Sequence, residues 1–218
     1  GRFSAGINYI NYGSFTEADE FGKNLGEFGA GEMALYLGYG NMLDSNFYYG
    51  ANVKFIYSGI AEYSSTAVAV DLGLNYTLPE SRLSFGFSIL NLGSQLSSYI
   101  DLKEDLPIDI RLGFSKELER MPLRFYWSFN KLNEDTGNFT SRFKNITAGA
   151  EFKLGKSLRL RFGYDNERRR ELKLGSGAGL AGFNLGLGFL VSGYTVDYGF
   201  SSLGSVGALH TFGITTTF

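Results

Sequence analysis

Charged side chains recur at alternate positions of stretches that are otherwise apolar, and they are the groups of this chain best placed to do chemistry. In 158–165, for example, Arg159, Arg161 and Asp165 alternate with leucine and aromatic residues. Successive side chains of a strand point to opposite faces, so the charges of each stretch share one face. Facing cations and carboxylates can form an ion-paired filling, line a wet channel or serve catalysis, and the first two are the simpler interpretations. We expect the following residues to line the lumen of a barrel: Lys54, Asp71, Asp109, Arg111, Arg124, Glu151, Lys153, Arg159, Arg161, Asp165 and Asp197.

Other candidate chemistry is weaker. His210 is the only histidine, and so a zinc site there would need carboxylates alone beside it. A barrel esterase could bring Ser201 or Ser205 to His210, but serine is too common for that pattern to be specific, and an interfacial histidine explains the residue as well. The acidic segment 17–20 lacks the ligand spacing of a calcium loop. Cysteine is absent. The sequence therefore predicts no enzyme and no catalytic, cofactor-binding or metal-binding residues.

Strict alternation of apolar and polar side chains extends through almost the whole chain. A period of two is the signature of a strand with one apolar and one polar face. We expect the apolar face to point outward, with Phe85, Trp127, Phe162 and Leu187 exposed. The predicted strands are 2–11, 31–40, 46–57, 66–77, 82–92, 107–117, 123–131, 145–154, 157–166, 182–191, 194–201 and a twelfth in the C-terminal segment 210–218.

Composition and connection lengths favour one architecture. The chain has 218 residues with 3 prolines, 30 glycines and 16% aromatic residues, which suits a single domain of long paired strands. Its net charge of −2 offers no basic surface for nucleic acid. Predicted connections after even-numbered strands are short, whereas most of those after odd-numbered strands are long. The short ones are 41–45, 78–81, 118–122, 155–156 and 192–193, and the long ones are 12–30, 93–106, 133–144 and 167–181, with 58–65 and 202–207 between them in length.

Outer-membrane barrels have short periplasmic turns and long external loops, and tilted strands of about ten residues cross the hydrocarbon. A soluble sandwich has no reason to sort its loops in this way. The sequence therefore predicts an all-β protein: one domain, 1–218, forming an antiparallel up-and-down transmembrane β-barrel of twelve strands in the outer membrane of a bacterium.

Several segments resemble one family. INYINYGSFTEADEFGKNLGEF (7–28) is similar to the first long loop of the PorQ-type barrels of the Bacteroidetes type IX secretion system. These barrels and the related PorV-type barrels, which 196–214 also resembles, belong to the long-chain fatty-acid-transporter-like barrels. The likeness continues through YGANVKFIYSGIAEYSS (49–65), NLGSQL (91–96), LPIDIRLGFSKEL (106–118) and VDYGFSSLGSVGALHTFGI (196–214). The resemblance implies fourteen strands and an N-terminal hatch. We find twelve strands and no hatch motif, and so we expect the N-terminal region of the family to be missing here.

The resemblance also implies a function without chemistry. A PorQ-like barrel would anchor a PorZ-like protein at the cell surface, together with PorU- and PorV-like proteins, among outer-membrane lipid and lipopolysaccharide. We expect loop 12–30 to bind the partner, because it carries aromatic residues among acidic ones. The alternative is an outer-membrane channel for hydrophobic solutes, which an apolar lumen with a lateral opening would favour. The expected partner-binding residues are Phe15, Asp19, Glu20, Phe21 and Phe28.

Overall fold

A computed structural model describes residues 1–100, 103–134, 137, 139–173 and 179–216. Twelve antiparallel strands follow one another in a single sheet, each beside its neighbours in sequence, which confirms the predicted all-β, up-and-down order. The strands are β1 (Arg2–Ala18), β2 (Asn24–Asp44), β3 (Phe47–Ile60), β4 (Tyr63–Leu78), β5 (Leu83–Ser97), β6 (Asp109–Glu117), β7 (Leu123–Phe129), β8 (Ile146–Leu154), β9 (Leu158–Asp165), β10 (Phe183–Val191), β11 (Tyr194–Ser202) and β12 (Ala208–Thr216).

Contacts between Cα atoms divide the chain into two units. Unit 1 consists of Gly1–Leu74 and Ser88–Asp109, and unit 2 of Asn75–Phe87 and Ile110–Phe218. Strands β1 to β3 lie wholly in unit 1, and β7 to β12 lie wholly in unit 2.

Unit 1 is dominated by long strands. β1 has 17 residues and β2 has 21, paired without interruption by a loop from Arg2 opposite Gly40 to Ala18 opposite Asn24. Because 9–11 tilted residues suffice to cross the hydrocarbon, the β1–β2 hairpin continues well beyond that thickness. One bulge lies at Gly13, whose φ of +82° suits glycine and whose N–H donates to the Asn11 side chain over 2.8 Å.

The predicted long loop 12–30 is therefore wrong: most of it is hairpin. Its turn is confined to 19–23, where the Asp19 carboxylate accepts hydrogen bonds from the backbone N–H groups of Phe21 at 3.0 Å and Lys23 at 2.8 Å. The many glycine, acidic and asparagine residues of this segment indicated a loop. Cross-strand pairing overrides that preference, with Phe15 stacked on its register partner Phe28 at 5.5 Å between ring centroids.

The predicted connections 41–45, 58–65 and 93–106 also differ from the structure. The first is a two-residue turn at 45–46, because β2 continues to Asp44. The predicted connection 58–65 is a two-residue turn at 61–62, where Ala61 adopts a φ of +51°. The predicted loop 93–106 begins as strand, because β5 continues to Ser97. Residues 58–65 and 93–106 have the polar and small side chains typical of a loop, yet their first residues continue a paired strand.

Unit 2 contains short strands close to the predicted limits. β7 to β12 have 7 to 9 residues each, and the ladders between successive members run without a register shift. The short turns at 118–122 and 192–193 lie where the sequence places them. The last two residues of the predicted twelfth strand lie outside the described residues.

The long connections of unit 2 contain short helical segments that the sequence analysis did not predict. A 3-10 turn occupies Phe139–Lys144, helix α1 occupies Asn166–Glu171, and a second 3-10 turn occupies Gly204–Val206. Asp165 caps α1 by accepting a hydrogen bond from the Arg168 backbone N–H. Within the described ranges, no helix has the length and apolar character needed to cross a bilayer.

The apolar face of the strands is exposed, as expected for a surface that contacts lipid. Phe162 is 56% exposed, and Phe85 and Leu187 are also exposed. Trp127 is the exception to the prediction. It is half-buried and not exposed, because its ring stacks on Phe114 at 5.2 Å and packs on Phe125 at 5.6 Å.

A charge on this face should impair folding into lipid. We predict that Phe162→Arg makes the free energy of folding into vesicles less favourable by about 2–4 kcal/mol, the usual cost of a midplane cation on a barrel wall. Phe162→Leu is the matched control and should cost less than half as much. The fluorescence of Trp127, the only tryptophan, reports unfolding in denaturant titrations. Equal stability of the arginine and leucine variants would contradict the assignment of this face to lipid.

Candidate functional site

Arg161 joins two carboxylates on the charged face of unit 2. Its Nε lies 2.8 Å from Glu151 Oε2, and its Nη1 lies 2.5 Å from Asp197 Oδ1. Glu151 faces Arg161 directly in the β8–β9 register, whereas Asp197 reaches it from β11 across β10. Gly188 of β10 lies opposite Arg159 on β9 and opposite Asp197 on β11. Because glycine has no side chain, Arg161 and Asp197 can meet across β10. Glu151 is only 8% exposed, so this pairing satisfies a carboxylate that is otherwise costly to bury.

A second cluster lies nearer the 118–122 turn. Glu117 Oε2 accepts from Arg124 Nη2 and, at 3.1 Å, from Lys153 Nζ. Glu117 and Arg124 are register partners on β6 and β7, and Lys153 comes from β8. One carboxylate therefore holds two of the predicted residues, although the sequence analysis did not include Glu117.

The remaining predicted residues of unit 2 have different surroundings. Arg159 forms no ion pair with any residue that the structure describes. Arg111 is exposed and has an interaction partner. Asp165 serves as the cap of α1, a role that the sequence analysis missed because it placed the whole 167–181 segment in a loop.

Unit 1 has its own polar cluster. Lys54 Nζ lies 2.8 Å from Asp71 Oδ1 and donates to Asn91 Oδ1 over 2.7 Å, while the Asn91 N–H donates to the same Asp71 oxygen. Asn91 adopts a φ of +60°, unusual for a residue with a side chain, and its Nδ2 donates to the Pro107 carbonyl. Beyond this bend, Gly93 lies so close to β4 that a Cβ there would be 2.0 Å from the Val68 carbonyl oxygen, so only glycine fits. Asp109, also predicted, is 7% exposed.

Between the charged residues, the same face of unit 2 has an uncharged hollow. A cavity of about 470 Å³ is lined by Tyr126, by serine and threonine side chains and by glycines of neighbouring strands. Tyr126 lies opposite Ser115 on β6 and opposite Gly149 on β8, which itself faces Gly163 on β9. Pockets of this volume accept small organic molecules.

The predicted partner-binding residues all lie in the distal part of the β1–β2 hairpin. Phe21, at the turn, is 87% exposed, and Phe15 is also exposed. Phe28 is half-buried against Phe15. Asp19 is committed to the turn by its two backbone hydrogen bonds, whereas Glu20 is exposed. The structure thus brings Phe15 and Phe28 into contact and leaves Phe21 exposed at the turn, and it gives Asp19 a structural role that Glu20 does not share.

His210 lies on the exposed face at the outer part of β12. Its Nδ1 is 2.8 Å from the Tyr198 hydroxyl, and its ring packs against Phe200 at 5.5 Å. These contacts leave the histidine in an aromatic cluster and give it no serine partner. Among the described residues, no group of three or more histidine, aspartate or glutamate side chains is arranged to hold a metal ion.

Comparison with known proteins identifies the fold. No family model matches the sequence. No curated protein matches it either. Among solved structures, the toluene transporter TbuX of Ralstonia pickettii superposes with a TM-score of 0.59 over 91% of this chain and 72% of that one, at 11% identity. The chain has the fold of an outer-membrane β-barrel. Engineered variants of the Rhodopseudomonas blastica porin also match, over 98% of this chain and 88% of theirs, with TM-scores of 0.38 and 11–12% identity.

The barrel fold and the exposed apolar face together place the protein in the bacterial outer membrane. The sequence analysis missed Glu117, Asn91 and the hydroxyl-bearing residues beside Tyr126. Alternation alone could have assigned Glu117 to the charged face, since it follows Arg111 and Ser115 at even spacing. The bend at Asn91 has no such signal, because nothing in the local sequence requires a positive φ there.

Removal of Arg161 should destabilise the protein, because Glu151 and Asp197 would lose their ion-pair partner. We predict that Arg161→Met lowers the free energy of unfolding by about 1–3 kcal/mol, less than for a fully buried pair because the arginine side chain is 35% exposed. Arg159→Met, which breaks no ion pair among the described residues, should cost less. Adding Glu151→Gln and Asp197→Asn to Arg161→Met should restore much of the loss. Identical stabilities of the Arg159 and Arg161 variants would show that the pairing contributes nothing.

Proposed function

We propose that this chain forms an outer-membrane barrel that passes small, largely hydrophobic solutes, with its charged face lining the lumen. The observation that carries the proposal is the uncharged cavity beside Tyr126. Its lining combines Tyr126, Phe114 and Trp127 with glycines and hydroxyl-bearing residues and contains no charged side chain, and we assign the face of Tyr126 to the lumen.

The arrangement of charges supports the same proposal. The described cations and carboxylates on either side of this cavity are mostly neutralised by each other, as at Arg161 and Glu117. Paired charges present little net field to an ion, and so they do not favour a charged solute over a neutral one. The barrel that shares this fold is a toluene transporter, a function that belongs to that protein and is here part of the proposal.

A block in the cavity should reduce passage of an apolar probe. Ser115→Phe places a ring opposite Tyr126, and Ala51→Phe, on the exposed face of β3, is the matched control. N-phenyl-1-naphthylamine fluoresces when it passes an outer membrane that normally excludes it. We predict faster entry of this probe into cells that contain the wild-type barrel or the Ala51 variant, and a several-fold slower entry with Ser115→Phe. Entry at the rate of cells without the protein would contradict transport by the wild type.

A second function is favoured by the β1–β2 hairpin. Its distal half extends past the length needed to cross the membrane and exposes Tyr12, Phe15, Phe21 and Leu25. Exposed aromatic side chains with a charged surround make a docking surface. The finer proposal is a barrel of a type IX attachment complex that anchors a PorZ-like surface protein, beside PorU- and PorV-like proteins.

The turn of the hairpin offers a direct test of anchoring. Phe21→Ser with Leu25→Ser removes two exposed apolar side chains without touching the Asp19 hydrogen bonds. Met42→Ser with Leu43→Ser removes two exposed apolar side chains at the other end of β2. We predict that a PorZ-like protein co-purifies from solubilised outer membranes with the wild type and the second variant, and is recovered at least several-fold less with the first. Undiminished recovery with the first variant would contradict this docking site.

A further inference from the structure

One end of unit 2 carries an aromatic band at the limits of its strands. Phe129 ends β7 and packs edge-on against Phe143 at 5.4 Å. Tyr164 and Phe183, near the end of β9 and at the start of β10, pack at 5.2 Å. Aromatic residues at the limits of barrel strands lie at the boundary between hydrocarbon and water. This band is on the side of the long connections, opposite the short turns, and so it marks the external boundary.

Four cations accompany this band, and one of them contacts an aromatic ring. Arg142 and Lys144 flank Phe143 in the 3-10 turn Phe139–Lys144. The Arg169 guanidinium is 5.8 Å from the Phe183 ring centroid and donates to the Gly179 carbonyl at 3.1 Å. Arg168 lies on α1, which is tied to the 3-10 turn by a hydrogen bond from Asn166 Nδ2 to the Lys144 carbonyl at 2.8 Å. We call Arg142, Lys144, Arg168 and Arg169 the rim patch.

The carboxylates near the rim patch are mostly engaged elsewhere. Glu167 pairs with Lys131, and this hydrogen bond raises the pKa of the Lys131 ammonium and keeps it charged. Glu134 is shared between Lys131 at 3.7 Å and Asn145, while Asp165 accepts the capping bond of α1. Glu171, at the end of α1, is the remaining carboxylate among the residues that the structure describes in these two connections. By contrast, the side chains of Arg142, Lys144 and Arg168 bond to no residue within the described ranges.

We propose that the rim patch binds the phosphate groups of lipopolysaccharide in the outer leaflet. The patch concentrates cations that form no ion pair within the described ranges, in a protein whose net charge is −2. Its position selects a lipid over a free anion, because Phe143 and Phe183 are exposed beside it and can contact acyl chains while the cations meet the phosphates. Arginine and lysine are the side chains that bind phosphate, by bidentate hydrogen bonds or as point charges.

The test measures retention of lipid A by the full chain in detergent, with bound lipid counted by native mass spectrometry. Arg142→Gln with Lys144→Gln removes two rim cations. Arg120→Gln with Lys156→Gln removes two exposed cations from the short turns of the same unit and is the matched control. Each cation near an anionic membrane surface strengthens binding about fivefold, so the rim variant should bind lipid A about 30-fold more weakly. The control should bind like the wild type.

A second measurement on the wild type keeps the proposal testable even if the rim variant fails to fold. Dephosphorylated lipid A should be retained much less than the phosphorylated form, and Arg168→Gln alone should weaken retention of the phosphorylated form. Equal retention of both lipids, or equal weakening in the rim and control variants, would overturn the proposal. Complete displacement of lipid A by millimolar inorganic phosphate would also overturn it, because the site would then be one for a free anion.

Discussion

The structure depends on one constraint: a strand that crosses lipid can leave neither a backbone polar group nor a charged side chain facing the hydrocarbon. Backbone groups pair with neighbouring strands, and apolar residues take the face that lipid contacts. Most charges within the strands of unit 2 therefore lie on the opposite face, where several of them form ion pairs. Arg161 between Glu151 and Asp197, and Glu117 between Arg124 and Lys153, are the result.

The same constraint explains why the candidate functions lie where they do. Within the membrane, chemical variety is confined to the charged face, where glycines opposite Tyr126 leave room for a small molecule. Beyond the membrane, charged and apolar residues need not be separated onto two faces. There β1 and β2 continue as a hairpin that exposes aromatic and acidic residues together. At the boundary, aromatic rings and cations meet, which is the chemistry of a lipid headgroup.

The sequence predicts the strand order and most of unit 2 well, because alternation is enforced residue by residue wherever lipid touches the chain. Prediction from the sequence fails in segments where contact with lipid no longer requires this alternation. Residues 12–18 and 24–30 have the composition of a loop, yet they pair with each other outside the membrane. The bend at Asn91 and the role of Asp165 were missed because they depend on contacts with Asp71 and α1. The pattern of a single strand does not show which charges pair with each other, since Asp197 meets Arg161 across an intervening strand.

The assignment of the two faces is the central claim, and a spin-label scan of β9 tests it most directly. The chain has no cysteine, so single cysteines at positions 158 to 164 can be labelled one at a time in vesicles. The account predicts that collisions with oxygen, which concentrates in lipid, are high at 158, 160, 162 and 164 and low at 159, 161 and 163. A flat profile, or an alternation in the opposite phase, would contradict it.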